Sequence, residues 1–149
     1  MNKELHYILR LCHTLCNKKI LLQTSTLGLS PGQPKILEFL EYHNGCEQKE
    51  IAKACEIEPA TVTNLLARME KAHLIERKQL NGNRRSLHVS LTNEGEIVTK
   101  QVLKIFEEVR KKAFEGFTVE QQEGTFRLLT KMFDNLSDYK QNNEKSEGE

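Results

Sequence analysis

A chain of 149 residues, 38% hydrophobic and 29% charged and without Trp, suits one domain that buries roughly two-thirds of its unfolded surface. A formal net charge of +1 excludes any argument about partners from overall charge. No apolar run approaches the roughly 18 residues of a membrane-spanning helix, and no basic stretch followed by an apolar core marks a secretory leader. The expected compartment is therefore the cytoplasm, where Cys12, Cys16, Cys46 and Cys55 stay as thiols. No two of them are spaced C-x-x-C.

Leu5, Ile8, Leu9, Cys12, Leu15 and Cys16 recur at steps of three and four, which predicts a first helix from near Lys3 into the twenties. Gly28 and Ser30-Pro31-Gly32 interrupt it. Ser30 is the expected N-cap of a second helix carrying Ile36, Leu37, Phe39 and Leu40, which Asn44-Gly45 ends. A short helix with Ile51, Ala52 and Cys55 follows, with Glu47 as its cap and Glu50 three residues on. Glu56-Ile57-Glu58 makes a turn. Pro59 suits the first position of the next helix, whose Val62, Leu65, Leu66 and Met69 form an inner face up to about Ala72.

The period then changes to two. Ile75 to Leu80 reads as a strand, Asn81-Gly82-Asn83 as a hairpin, and Leu87, Val89 and Leu91 as the core side of a second strand. Thr92 is the expected cap of a long helix with Val98, Val102, Ile105, Phe106, Val109 and Ala113 on one stripe. Gly116 stops it, and Thr118 starts a last helix bearing Phe126, Leu129, Met132, Phe133 and Leu136. The fold class is mainly α with a small β-hairpin wing: a winged helix-turn-helix over about 30–92, flanked by helices over about 3–25 and 93–140. Residues 141–149 read as a disordered acidic tail.

Charge is unevenly distributed. From Glu58 to Leu91, Arg68, Lys71, Arg77, Lys78, Arg84 and Arg85 outnumber Glu58, Glu70 and Glu76. That segment is the expected contact with a polyanion.

Two short helices joined by a tight turn can set the second into the DNA major groove, with its first residues on base edges. Ala60, Thr61, Thr63 and Asn64 are small or hydrogen-bonding, as that position requires. Asn pairs in bidentate fashion with adenine, and Thr touches a thymine methyl or a phosphate. Arg68, one turn on, suits a phosphate. At the hairpin tip, Asn83, Arg84 and Arg85 suit a narrow minor groove, where the potential is most negative.

Three stretches carry a resemblance. They are Ile51-Ala52-Lys53-Ala54-Cys55-Glu56-Ile57-Glu58-Pro59-Ala60-Thr61-Val62-Thr63, then Met69 to Arg77, then Asn83-Arg84-Arg85-Ser86-Leu87-His88-Val89-Ser90-Leu91-Thr92-Asn93-Glu94-Gly95. Together they resemble the MarR family of bacterial regulators. The wing pattern, ending Leu-Thr-x-x-Gly, is the most specific part. The resemblance implies a homodimer built from the first and last two helices, bound to double-stranded DNA at a pseudo-palindromic operator. It implies a repressor released by a small lipophilic or phenolic effector, or by an oxidative signal, with the ligand pocket between the DNA-binding part and the dimer helices. Three positions depart from the family pattern: Glu56 and His73 stand where Gly is common, and Asn83 where the wing has Asp. The apolar stripes of the flanking helices independently call for a partner.

Cys12 has two readings, a redox-sensing thiol on the first helix and a small apolar residue on a buried stripe. His43 and Cys46 are close in sequence, but no second ligand pair completes a tetrahedral zinc site. No metal and no cofactor is expected. Two other function classes stay open. A protein-binding winged helix would lack a basic wing tip. A thiol enzyme would need a thiolate of lowered pKa with a paired cysteine nearby.

Overall fold

The computed structural model describes residues 4–80, 82 and 86–146, with backbone only from 138 on. The chain falls into two compact units, Met1–Arg110 and Lys111–Glu149. In chain order the elements are α1 (Leu5–Thr24), α2 (Gln33–Tyr42), β1 (Cys46–Glu47), α3 (Gln48–Ala54), α4 (Pro59–Lys71), β2 (Ile75–Gln79), β3 (Leu87–Leu91), α5 (Asn93–Ala113) and α6 (Val119–Ser146).

The core of the first unit is where the periodicity puts it. Ile36, Leu37 and Leu40 of α2, Ile51 of α3, and Val62, Leu65, Leu66 and Met69 of α4 are buried together with Ile75, Val89 and Val102. The second helix starts differently from expectation. Its cap is Gly32, at φ 89°, and the Ser30 hydroxyl does not cap it. The Gln33 side chain instead reaches back out of the helix, its Oε1 accepting the Ser30 amide at 2.9 Å. Glu47 precedes α3 as expected, and its amide donates to Glu50 Oε2 at 2.7 Å, the backward half of a capping box.

The sheet has three antiparallel strands in the order β1-β3-β2, one more than the expected hairpin. β2 pairs with β3 from Ile75↔Leu91 to Gln79↔Leu87, while β1 adds only Cys46↔Val89 and Glu47↔His88. Two residues carry no readable period, which is why β1 is silent in the sequence. Asn44 and Gly45 end α2 and also hook the sheet. The Asn44 Oδ1 accepts the Leu91 amide at 2.8 Å, and the Gly45 amide donates to the Val89 carbonyl at 2.8 Å.

Both helices of the helix-turn-helix end in the same way. After α3, Glu56 takes φ 50°, and the amides of Glu56 and Ile57 donate back to the carbonyls of Lys53 and Ala52. After α4, His73 takes φ 59°, and the amides of His73 and Leu74 donate to Glu70 and Met69. These are Schellman closures, which ordinarily place Gly at the left-handed position. A side chain there costs about 1–2 kcal/mol, partly offset by the entropy that Gly loses on folding. Glu56→Gly and His73→Gly are each expected to stabilise the protein by about 0.5–1 kcal/mol, read as a higher urea midpoint at unchanged m. An unchanged midpoint for both would show that the closures carry no strain.

Thr92 caps α5 as expected, its Oγ1 accepting the Gly95 amide at 3.0 Å. In the second unit, Thr118 and Gln121 cap α6 reciprocally, at 2.9 and 3.1 Å, and Gly116 takes φ 82°. Phe114 packs against Phe117 and Phe126 there. α6 is helical to Ser146, beyond Lys140, where polar composition suggests disorder.

Candidate nucleic-acid interface

α4 is anchored on one side and bare on the other. Val62, Leu65, Leu66 and Met69 are buried, whereas Ala60, Thr61, Thr63, Asn64, Ala67, Arg68 and Lys71 are exposed. At 3.6 residues per turn, Ala60, Asn64, Ala67, Arg68 and Lys71 share the face opposite the core. Thr61 and Thr63 stand on its two flanks. Lys71, one of the basic residues expected to meet a polyanion, is on this outward face; Ala67 joins it although the sequence did not mark it, its helical spacing from Ala60 and Asn64 being the available signal.

The flanks differ. Thr61 borders a cleft of about 710 Å³ with Ile20, Leu21, Leu65 and Phe106 on its apolar walls and His13 and Glu38 among its polar ones. Burial raises the Glu38 carboxyl pKa. Thr63 faces α3. Its hydroxyl donates to the Pro59 carbonyl at 3.0 Å and accepts from Gln48 Nε2 at 2.7 Å.

The basic residues of this segment do not act alike. The Arg77 side chain is 17% exposed and bridges back to Glu70 at 3.1 Å. Its backbone amide and Nε also donate to that carboxylate. Arg77 thus ties β2 to the end of α4 and is not part of the outward basic surface. Hydrogen bonds from Arg77 hold the Glu70 carboxyl below its ordinary range. A carboxylate whose folded pKa is lowered adds stability above its unfolded pKa, and that stability is lost as pH falls through the folded value. Glu70→Gln is therefore expected to cost up to about 1 kcal/mol at neutral pH, since Glu70 is 42% exposed and solvent screens the pair. The gap between wild type and variant should close below the usual Glu range of about 4.3. A gap unchanged down to pH 3 in urea titrations would refute the ionic role.

Asn83, Arg84 and Arg85 lie outside the described residues, between strands whose pairing is described up to Gln79↔Leu87. Cys12 is exposed on α1, not buried on its stripe, and Cys16 is half-buried. Burial pushes the Cys46 thiol up to about 11 and raises that of Cys55, so neither is an activated thiolate. Among the described residues, no helix is long and apolar enough to cross a membrane.

The MarR family model matches residues 29–87, from the residue before Ser30 through the start of β3. The transcriptional regulator HosA of Escherichia coli O127:H6 is 30% identical over 104 residues, covering 70% of this chain and 77% of that protein. This chain belongs to the MarR family. Like other MarR proteins it is a DNA-binding transcription regulator and not an enzyme. The transcriptional repressor MdtR of Bacillus subtilis is 37% identical over 76 residues, which span 51% of this chain and about half, 49%, of MdtR. Among solved structures, the Staphylococcus aureus MepR–DNA complex superposes with a TM-score of 0.80 at 26% identity, covering 91% of this chain and 99% of MepR. A crystal structure of MarR gives 0.83 at 22% identity over 94% of this chain and 97% of that one, which speaks for the fold alone. The MarR fold thus accounts for the helix order, the wing strands and the Leu91-Thr92-x-x-Gly95 turn into α5.

Proposed function

We propose that this MarR protein is a cytoplasmic, homodimeric repressor that occupies a pseudo-palindromic operator and leaves it when a small lipophilic or phenolic effector binds. The observation that carries the reading is the face of α4. Ala60, Asn64 and Ala67 allow close approach to base edges, Arg68 and Lys71 supply phosphate contacts, and four buried apolar residues hold the helix rigidly behind them. MepR, solved on DNA, and MdtR, a repressor, support the same reading. In each half-site Asn64 takes an adenine edge, Thr61 and Thr63 flank it, and Asn83, Arg84 and Arg85 of the wing tip reach the adjoining minor groove.

Homodimerisation is supported by apolar surface within each unit. Leu5, Leu15 and Leu22 of α1 are exposed, as are Phe126, Leu129, Phe133 and Leu136 of α6, more than an isolated chain keeps in water. A two-fold dimer sets its recognition helices about one DNA turn apart. The cleft beside Thr61 is the effector site in this reading. Its walls are largely apolar, and it borders both α4 and α1, so a ligand there shifts the recognition helix and lowers operator affinity.

The wing assignment has its own test. Arg85→Ala is expected to weaken operator binding about tenfold near 0.1 M salt and to flatten the salt dependence, with thermal stability unchanged. Affinity equal to wild type at that salt would remove Arg85 from the interface.

A further inference from the structure

We infer that Thr63 meets DNA through its γ-methyl group, packed against the C5-methyl of a thymine, and that Gln48 is the positioning residue that holds it there. The inference rests on the reading of α4 as the recognition helix and assigns the chemistry of one contact within it. A threonine hydroxyl has one hydrogen to give and two lone pairs to offer. Thr63 gives its hydrogen to the Pro59 carbonyl, 3.0 Å away and one turn back. One lone pair takes the Gln48 amide hydrogen at 2.7 Å. No donor is left for a base or a phosphate.

Both bonds draw the oxygen inward, one toward its own helix and one toward α3, while the residue itself stays exposed. What Thr63 has left is its second lone pair and its methyl. The surroundings favour the methyl. Thr63 lines a cleft of about 390 Å³ with Pro59, Ala60 and Leu87, an apolar rim beside Gln48 and Lys49. In the major groove the apolar feature that distinguishes one base is the thymine methyl. Gln48 has no partner role in the sequence pattern, because it lies fifteen residues from Thr63 on a different helix. Without its amide only the Pro59 bond holds the Thr63 rotamer, and the hydroxyl can turn outward more readily.

The test uses the intact dimer and the duplex it selects from random DNA. Each thymidine of that duplex is replaced in turn by deoxyuridine, which removes only the methyl, and affinity is read by fluorescence anisotropy. Wild type is expected to lose about fourfold at one thymine in each half-site, the worth of one buried methyl. Thr63→Val, which keeps a methyl at that place, should show the same loss at the same position. Thr63→Ser should bind thymine and uracil alike. Gln48→Ala should reduce the discrimination in the wild-type background and change nothing in the Thr63→Val background, which separates positioning from general damage. If Thr63→Val does not fold, Thr63→Ala, expected to match Thr63→Ser, carries the comparison with wild type.

Retained discrimination in Thr63→Ser, or discrimination lost in Thr63→Val, would overturn the inference while leaving DNA binding intact. Failure of the wild type to select any duplex would overturn the DNA-binding reading and this inference together.

Discussion

Replacing Gly95 by alanine is expected to destabilise the protein by about 3 kcal/mol or more, although the same change inside an ordinary helix stabilises by about 1 kcal/mol. Gly95 is buried in the first turn of α5. A Cβ built there overlaps the Leu74 carbonyl oxygen and stands 3.0 Å from the Leu74 carbonyl carbon and 3.3 Å from a Leu91 methyl. The obstruction is backbone, so no side chain can swing aside. That carbonyl also accepts the Thr92 amide at 3.1 Å, and the Thr92 hydroxyl donates to the neighbouring His73 carbonyl. Making room for a methyl means moving α5 off the end of the α4–β2 turn and losing those bonds. Thermal unfolding should show a large drop in midpoint. A midpoint at or above that of wild type would mean that α5 does not sit against Leu74 in this way.

The second large effect is expected at Leu65. Its side chain is 3% exposed and packs so closely on the N-cap of α2 that a Cβ at Gly32 would stand 2.9 Å from Leu65 Cδ1. Leu65→Ala should cost within about 2–5 kcal/mol, through lost burial and the cavity left behind. The lower half of that range is expected, because Leu65 also lines the cleft beside Thr61, where neighbours have room to relax. Urea unfolding at unchanged m reads this directly. A loss below 1 kcal/mol would show that α4 is not anchored by this residue, and the rigid mounting of its outward face would lose its main support.

The helical and strand faces were legible because apolar period is a local property. Val62, Leu65, Leu66 and Met69 define one side of α4 whatever they pack against, and Val89 alternates with the polar His88 and Ser90 whatever pairs with it. Glu56 and His73 were legible as anomalies, residues standing where a turn needs positive φ, and both adopt it.

Polar partnerships were not legible. Nothing in the sequence links Gln48 to Thr63, or turns Arg77 away from solvent onto Glu70. Those choices follow from where two helices and a strand come together. Ser30 fails as a cap for a related reason. Pro31 and Gly32 carry the chain past it, so the helix starts two residues later and Gln33 reaches back instead. Cys12 is exposed within the single chain. Of the apolar stripe on α1, Leu5, Cys12 and Leu15 are exposed and Ile8, Leu9 and Cys16 are half-buried. Periodicity reports which face is apolar, and burial of that face needs something to cover it.

The central claim is that α4 and the wing form a sequence-reading surface in a two-fold dimer. The most direct measurement is selection of bound sequences from random duplex DNA by reduced, ligand-free protein, with the Arg84→Ala/Arg85→Ala double variant run beside it. A palindrome with half-site centres about one helical turn apart, enriched by the wild type and several-fold less by the variant, is the predicted result. Enrichment of no sequence, or equal enrichment by both proteins, would contradict it.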